Sequence, residues 1–187
     1  MTEERLVWNE VERKKVFDSR VFSVWDSYCT PPEGQKTGAR SFTVIDANEW
    51  IIVVPVIKTD EGSKFVMVRQ WRHGAGELSL EFPGGVTEDG EDPEAAALRE
   101  LREETGYTPR KIEKIGEFSP NPAIMSNKVH FFLARDLQNT GEQDLDDDEY
   151  VDVSVIDIEE VKKGMGKKPF IHALMGTALF LCYEKIS

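Results

Sequence analysis

A chain of 187 residues with a formal net charge of −12 can bury a core of ordinary single-domain size with a small appended subdomain. The acidic balance and the lack of any long Lys/Arg run argue against nucleic-acid backbone or anionic membrane as a partner. Cys29 and Cys182 have no metal-type spacing, the N-terminus does not read as a signal peptide, and the longest apolar run, Ile51 to Ile57, is too short to span a bilayer, so the expectation is a soluble cytoplasmic protein with reduced thiols.

From the N-terminus, Val11–Phe17 and Val21–Tyr28 are rich in β-branched and aromatic residues, with Asp18–Arg20 as a turn, and predict a hairpin or bent strand pair. Residues 30–38 are turn chemistry throughout. Strands are predicted at Ser41–Ile45 and Trp50–Ile57, the second apolar almost without break and therefore buried on both faces. Phe65–Trp71 alternates as a strand should, His73–Gly76 is a loop, and Glu77–Phe82 is a short strand running into Pro83-Gly84-Gly85.

A helix is predicted over Pro93–Thr105. Asp92 before Pro93 reads as its N-cap and first helical residue, and Gly106 as the left-handed residue that stops it. On this helix Glu100, Glu103 and Glu104 are spaced i, i+3, i+4, so three carboxylates project from one face and repel one another. Hard oxygen ligands so placed suit Mg²⁺ or Mn²⁺, and the ion would remove the repulsion. A solvated acidic face is the plainer alternative for a Glu-rich helix.

Beyond the helix, Lys111–Ser119 and Lys128–Ala134 predict strands around a Pro/Asn-rich loop. An acidic loop follows at 139–149, then a strand at Val151–Ile156, a short helix at Ile158–Gly164 and a longer one at Pro169–Glu184. The pattern of strands, a helix, more strands and then helices predicts an α/β or α+β sandwich on a mixed sheet. His73, His130 and His172 are scattered. His130 in an apolar strand and His172 on an apolar helix read as structural histidines.

Gly85, Glu91, Arg99, Glu100, Glu103, Glu104 and Gly106 match, position for position, the spacing of the Nudix box. Seven fixed positions, each met by about one residue in fifteen, make a chance match roughly 10⁻⁸ per window. The chain thus resembles the Nudix hydrolases, with Tyr107 departing from the aliphatic residue usual at the end of the box. The run Val68–Arg72, then Glu81–Gly85, then the box, then Pro122 downstream is similar to the ADP-ribose pyrophosphatase and nucleoside diphosphate sugar hydrolase branch, with Ala123 where that branch often has glycine.

That resemblance implies a Nudix-type α/β/α sandwich over residues 48–187, preceded by an antiparallel β subdomain over 1–47 that serves dimerisation and part of the nucleotide site. It implies metal ligation by Glu100, Glu103, Glu104 and the Gly84 carbonyl. It implies an orienting role for Arg99, and a base at Glu149, with Asp147 or Asp148 as alternatives. Arg69, Arg72, Glu81 and Pro122 become candidate substrate contacts, with Phe22, Trp25 or Phe42 stacking on the base. Arginine suits such contacts because its planar fork matches phosphate and carboxylate, which lysine does not. The implied activity is Mg²⁺- or Mn²⁺-dependent cleavage of a nucleoside diphosphate sugar by a homodimer. Another Nudix specificity (dinucleoside polyphosphate, coenzyme A or an oxidised nucleotide) and a non-catalytic ligand sensor on the same fold stay open.

Overall fold

The computed structural model describes residues 3–35, 37–141, 143–145 and 149–186. The chain clusters into two units, residues 1–48 with 119–128, and residues 49–118 with 129–187. Residues 119–128, which the sequence presents as a loop between two strands of the second unit, therefore group with the first.

In the first unit, a 3₁₀ turn at Glu3–Leu6 precedes three strands, β1 (Asn9–Asp18), β2 (Ser23–Thr30) and β3 (Arg40–Asp46), in an antiparallel sheet of that order. The turn between β1 and β2 closes where Asp18–Arg20 predicts it, with the Ser19 hydroxyl and N–H both donating to the Phe22 carbonyl. The segment 119–128 runs along β3. Ile45 N–H donates to the Ile124 carbonyl at 2.7 Å, and Ser126 N–H to the Ile45 carbonyl at 3.0 Å. β1 is an edge strand, exposed at every position in the single chain. Two irregularities in its register, at Glu10/Glu12 and Lys15/Phe17, break the flat edge that would otherwise invite unspecific pairing.

The second unit holds β4 (Trp50–Thr59), β5 (Gly62–Arg72), β6 (Glu77–Glu81), α1 (Pro93–Thr105), β7 (Tyr107–Phe118), β8 (Val129–Asn139), β9 (Asp152–Asp157), α2 (Ile158–Gly164) and α3 (Ala173–Ile186). Its strands run β6-β5-β4-β8-β7, with β9 paired to β5. β4 and β8 are parallel and the other pairs antiparallel, so the sheet is mixed. The apolar run of β4 has its cause in the two layers that cover it. Ile52, Val54 and Val56 join one buried cluster with Met175, Ala178 and Cys182 of α3, while Ile51 and Val53 join a second with Ala96, Ala97 and Leu101 of α1. A strand packed on both faces must be hydrophobic at odd and even positions alike. The architecture is the expected sandwich of helices on a mixed sheet.

α1 has its predicted bounds. Asp92 accepts from the N–H groups of Glu94 and Ala95 at 2.9 and 3.3 Å, and Gly106, at φ 70°, donates to the Arg102 carbonyl at 2.8 Å. Other bounds differ from the sequence expectation. β7 begins at Tyr107, directly after the helix, and contains Pro109, which a strand with a single neighbour tolerates. β8 continues past Ala134 to Asn139, through Asp136 at φ 55°. α3 starts at Ala173, not Pro169. Residues 169–172 instead serve the outer edge of β6. Leu80 N–H donates to the Pro169 carbonyl at 3.0 Å, and Phe82 N–H meets the Met175 sulfur at 3.0 Å. Backbone donors on a buried edge need partners, and helical geometry from Pro169 would have withdrawn that carbonyl. Among the described residues no helix is long and apolar enough to cross a membrane.

Candidate active site

The candidate site lies where the loop Pro83-Gly84-Gly85 crosses the acidic face of α1. Gly84 is required there by space, and Gly85 lies close against the Glu100 carboxylate. A Cβ on Gly84 would stand 2.2 Å from the Ile51 carbonyl oxygen, and one on Gly85 would stand 2.4 Å from Oε1 of Glu100. No other residue at position 84 lets the backbone come this close to β4, whereas a side chain at 85 would displace the end of Glu100.

Glu104 accepts the Gly84 N–H at 2.8 Å and is 3% exposed. Burial pushes its carboxyl up, the Gly84 N–H pulls it down, and the nearby charges of Glu100 and Glu149 push it up again, leaving it at about 8. Glu100 is raised as well, first by burial, with the Arg99 guanidinium opposing and the charges of Glu149 and Glu103 adding. Three of the expected residues, Glu100, Glu104 and Glu149, therefore lie within electrostatic reach of one another. Glu149 itself is exposed. The alternatives to it, Asp147 and Asp148, lie outside the described residues.

Arg99 organises this face. Its Nε and Nη2 bind both oxygens of Glu91 at 3.0 and 2.9 Å, and Nη2 also reaches the Val86 carbonyl at 3.2 Å. Nη1 binds Glu100 at 2.8 Å and Glu103 at 3.2 Å, the latter being the i,i+4 pair that the spacing predicts. Glu91 in turn accepts the Glu88 N–H at 2.9 Å, so the loop before the helix is tied to the helix through one guanidinium. Glu103 also pairs with Arg102 at 3.0 Å.

On the strand side, Arg72 donates Nε and Nη2 to the two oxygens of Glu81 at 3.0 and 2.6 Å. Glu81, expected among the substrate contacts, has a fully buried side chain with both oxygens taken, so what it holds is Arg72. Arg72 keeps 40% of its side chain exposed and lines a cleft of about 220 Å³ together with Trp50, Phe82, Gly84, Gly85 and His172. Arg69 is exposed, and strand alternation places it on the face of β5 opposite Arg72. His172 was not singled out by its sequence setting as a site residue. Its position in the cleft depends on α3 starting late, which no local signal announces.

Phe22, Phe42 and Pro122 belong to the first unit and are described there. Phe42 packs edge-on against Trp8 with centroids 5.2 Å apart, and Phe22 is tilted against Phe17 at 6.1 Å. Pro122 lies in a turn closed by Met125 N–H on the Asn121 carbonyl at 2.8 Å. Trp25 has the Arg13 guanidinium and the Lys15 ammonium over its ring at 5.0 and 5.2 Å.

Residues 50–174 match the NUDIX domain. The chain belongs to the Nudix family. The seven box positions are the ones seen above to tie loop, helix and Gly84-Gly85 together. The chain is 38% identical over 156 residues to an ADP-ribose pyrophosphatase of Bacillus subtilis, covering 82% of this chain and 83% of that one. It is 31% identical over 159 residues to the methanol dehydrogenase activator of Bacillus methanolicus, covering 84% and 83%. A crystal structure of an ADP compounds hydrolase superposes with a TM-score of 0.81 at 24% identity, over 95% of this chain and 93% of that one, and shows the shared Nudix fold.

Nudix hydrolases generally use a divalent metal. Among the described residues no three His, Cys, Asp or Glu side chains converge as a ready ligand set. Glu100 and Glu103 are both engaged by Arg99. The donor chemistry nevertheless fits. A buried carboxyl held at about 8 beside a second raised carboxyl is an arrangement that a hard cation relieves. Mg²⁺ in particular is commonly held by one or two carboxylates and completed by substrate phosphate and water, not by a closed cage.

Proposed function

We propose that this Nudix protein hydrolyses the diphosphate of nucleoside diphosphate sugars, such as ADP-ribose or GDP-mannose, to a nucleoside monophosphate and a sugar phosphate. The observation that carries the reading is the buried Glu104, fixed by Gly84 N–H and crowded by Glu100 and Glu149, next to a cleft that presents Arg72. The relative of known activity named above, an ADP-ribose pyrophosphatase aligned over most of both chains, supports this substrate class.

Glu100, Glu104, Glu103 and the Gly84 carbonyl would hold Mg²⁺ or Mn²⁺, which when bound supplies the charge that draws an anionic diphosphate to an anionic protein and makes a water acidic enough to attack. Arg72, preset by Glu81, offers a planar fork to a phosphate of the diphosphate. Glu149 accepts the proton of the attacking water. The water oxygen bonds to one phosphorus, the anhydride P–O bond breaks, and its electron pair leaves with the second phosphate. Arg99 keeps Glu100 and Glu103 in place throughout, and Arg69 is a further candidate phosphate contact.

In the same reading the protein is a homodimer, with residues 1–47 as the dimerisation subdomain. The support is the apolar surface of the first unit, where Val7, Val11, Phe17, Val21 and Phe22 are exposed in the single chain, more than a solvated arm carries. A cytoplasmic setting accords with Cys29 and Cys182 as free thiols, the latter pushed up to about 12 by burial and so inert. The test is product analysis with Mg²⁺ across ADP-ribose, GDP-mannose, diadenosine tetraphosphate and coenzyme A. Turnover of the sugar nucleotides to monophosphate and sugar phosphate is expected. Turnover of either of the others in preference, or of none, sinks the assignment.

A further inference from the structure

The parallel ladder between β4 and β8 reaches Pro55 and Ala134, and both strands run on past it. β4 continues to Thr59 against β5, and β8 to Asn139 against β7. Two local features accompany the parting. Pro55 has no N–H to give a neighbour, and Asp136 sits in the left-handed region at φ 55°. Between the two carboxyl ends lies a cleft of about 480 Å³, lined by the apolar Val56, Ile57 and Leu137 and by Lys58, Lys111, Arg135 and Asp136. Carboxyl ends of parallel strands are where open sheets form ligand crevices. Lys58 lies further along β4 than Ile51, on which Gly84 packs, by roughly 20 Å of strand, so the cleft is apart from the candidate active site.

Charge around this cleft is out of balance. Lys111 pairs with Asp136 at 2.9 Å and holds its carboxyl below the usual range, with the charges of Lys58 and Arg110 adding to the effect. Arg135 binds one oxygen of Glu113 at 2.9 Å, and Lys185 takes the other. Five cations thus share two carboxylates, on a chain whose formal net charge is −12. Among the described residues Lys58 is in no ion pair. Like charges gathered at one place repel one another, and a bound anion relieves them.

The two walls indicate which anion. Lys58 comes from β4, while Lys111 and Arg135 stand opposite each other in the β7–β8 ladder. An anion that engages both walls carries charge at two points, and ammonium and guanidinium groups together suit phosphate oxygens. The volume is that of a small-molecule site, and the acidic protein beyond it repels a nucleic-acid chain. We propose that the cleft at the carboxyl ends of β4 and β8 is a second binding site, separate from the hydrolytic one, for the diphosphate group of a small phosphorylated molecule, with Lys58, Lys111 and Arg135 as its donors.

The test is calorimetric titration of the full-length protein with inorganic pyrophosphate, in EDTA and at constant low ionic strength, alongside thermal melts. EDTA leaves the acidic face of α1 without a cation to hold the anion. Wild type should bind saturably, and orthophosphate, which reaches one wall, should bind about tenfold more weakly. Lys58→Gln and Lys111→Gln should each weaken pyrophosphate binding by about tenfold through loss of a charge-assisted hydrogen bond, and Lys58→Arg should bind as wild type does. Both glutamine variants should fold, because Lys58 is unpaired and the Lys111–Asp136 pair is exposed. Arg72→Gln, in the other cleft, should keep the wild-type affinity. Absence of saturable binding, equal affinity for orthophosphate and pyrophosphate, unchanged affinity in Lys58→Gln, or binding that Arg72→Gln abolishes overturns the inference.

Discussion

Glu104 and Gly84 are joined by a 2.8 Å hydrogen bond that buries the carboxylate against the backbone of the loop it serves. The bond fixes the side chain in one orientation, and the burial makes its charged form costly unless a cation is near. Helical spacing puts Glu104 on one acidic face with Glu100 and Glu103 and says nothing of its burial. The structure puts it at the interior end of the acidic face.

Glu104→Gln should therefore reduce turnover by at least about 10²-fold, as expected when a positioned ligand is lost. The fold should survive for a different reason than exposure. Glutamine keeps an oxygen for the Gly84 N–H and removes a carboxyl that burial already disfavours as an anion. Rates at saturating Mg²⁺ together with a thermal melt check both halves. Near-normal turnover sinks the metal assignment.

Glu149→Gln should slow turnover with little change in substrate binding, because a base acts on the water and not on the diphosphate. Asp147→Asn and Asp148→Asn should do less. Single-turnover rates and binding titrations on the three variants decide. A larger effect at either aspartate moves the base by one or two residues within the same loop.

The Arg72–Glu81 pair should appear in the pH dependence of stability. Burial alone would raise Glu81, but the Arg72 fork more than offsets it, and the carboxyl sits below its ordinary value. Its contribution is then fully present above the unfolded carboxylate's pKa, near ~4.3, and is lost as pH falls through the lower folded value. Glu81→Gln should remove that part of the acid limb and cost about 1–3 kcal/mol at neutral pH. The cost stays at that level because Arg72, 40% exposed, can rehydrate. Melting curves from pH 3 to 7 check it, and acid limbs that run parallel in the two proteins refute it.

Light scattering should give a dimer for the full chain at about micromolar concentration, as apolar surface of the first unit requires cover. A chain truncated to begin at Asn48 should be poorly soluble. It would retain residues 119–128 but lose β3, which supplies the backbone partners of Ile124 and Ser126. A full-length monomer would falsify the dimer.

Much of the site was legible in one dimension because its chemistry is local. The bounds of α1 follow from Asp92, Pro93 and Gly106, and the face shared by Glu100, Glu103 and Glu104 follows from helical spacing. The Arg99–Glu103 pair is the same kind of inference, and the burial of β4 on both faces follows from its unbroken apolar run. Each depends on residues within a few positions of one another.

What only the tertiary structure decided involves partners far apart in the chain. Glu81 is a candidate substrate contact by resemblance until the folded chain shows the Arg72 fork reaching along β6 to it, past Glu77, the residue that the register sets opposite Arg72. Gly84 is a carbonyl ligand by resemblance, but why the residue there is glycine appears only when β4 places the Ile51 carbonyl where a Cβ would stand. His172 reads as one more residue of an apolar helix, yet residues 169–172 leave helical geometry because the edge of β6, some ninety positions earlier, needs the Pro169 carbonyl. Backbone donors must be satisfied wherever the fold exposes them, and local sequence carries no record of which distant strand will ask.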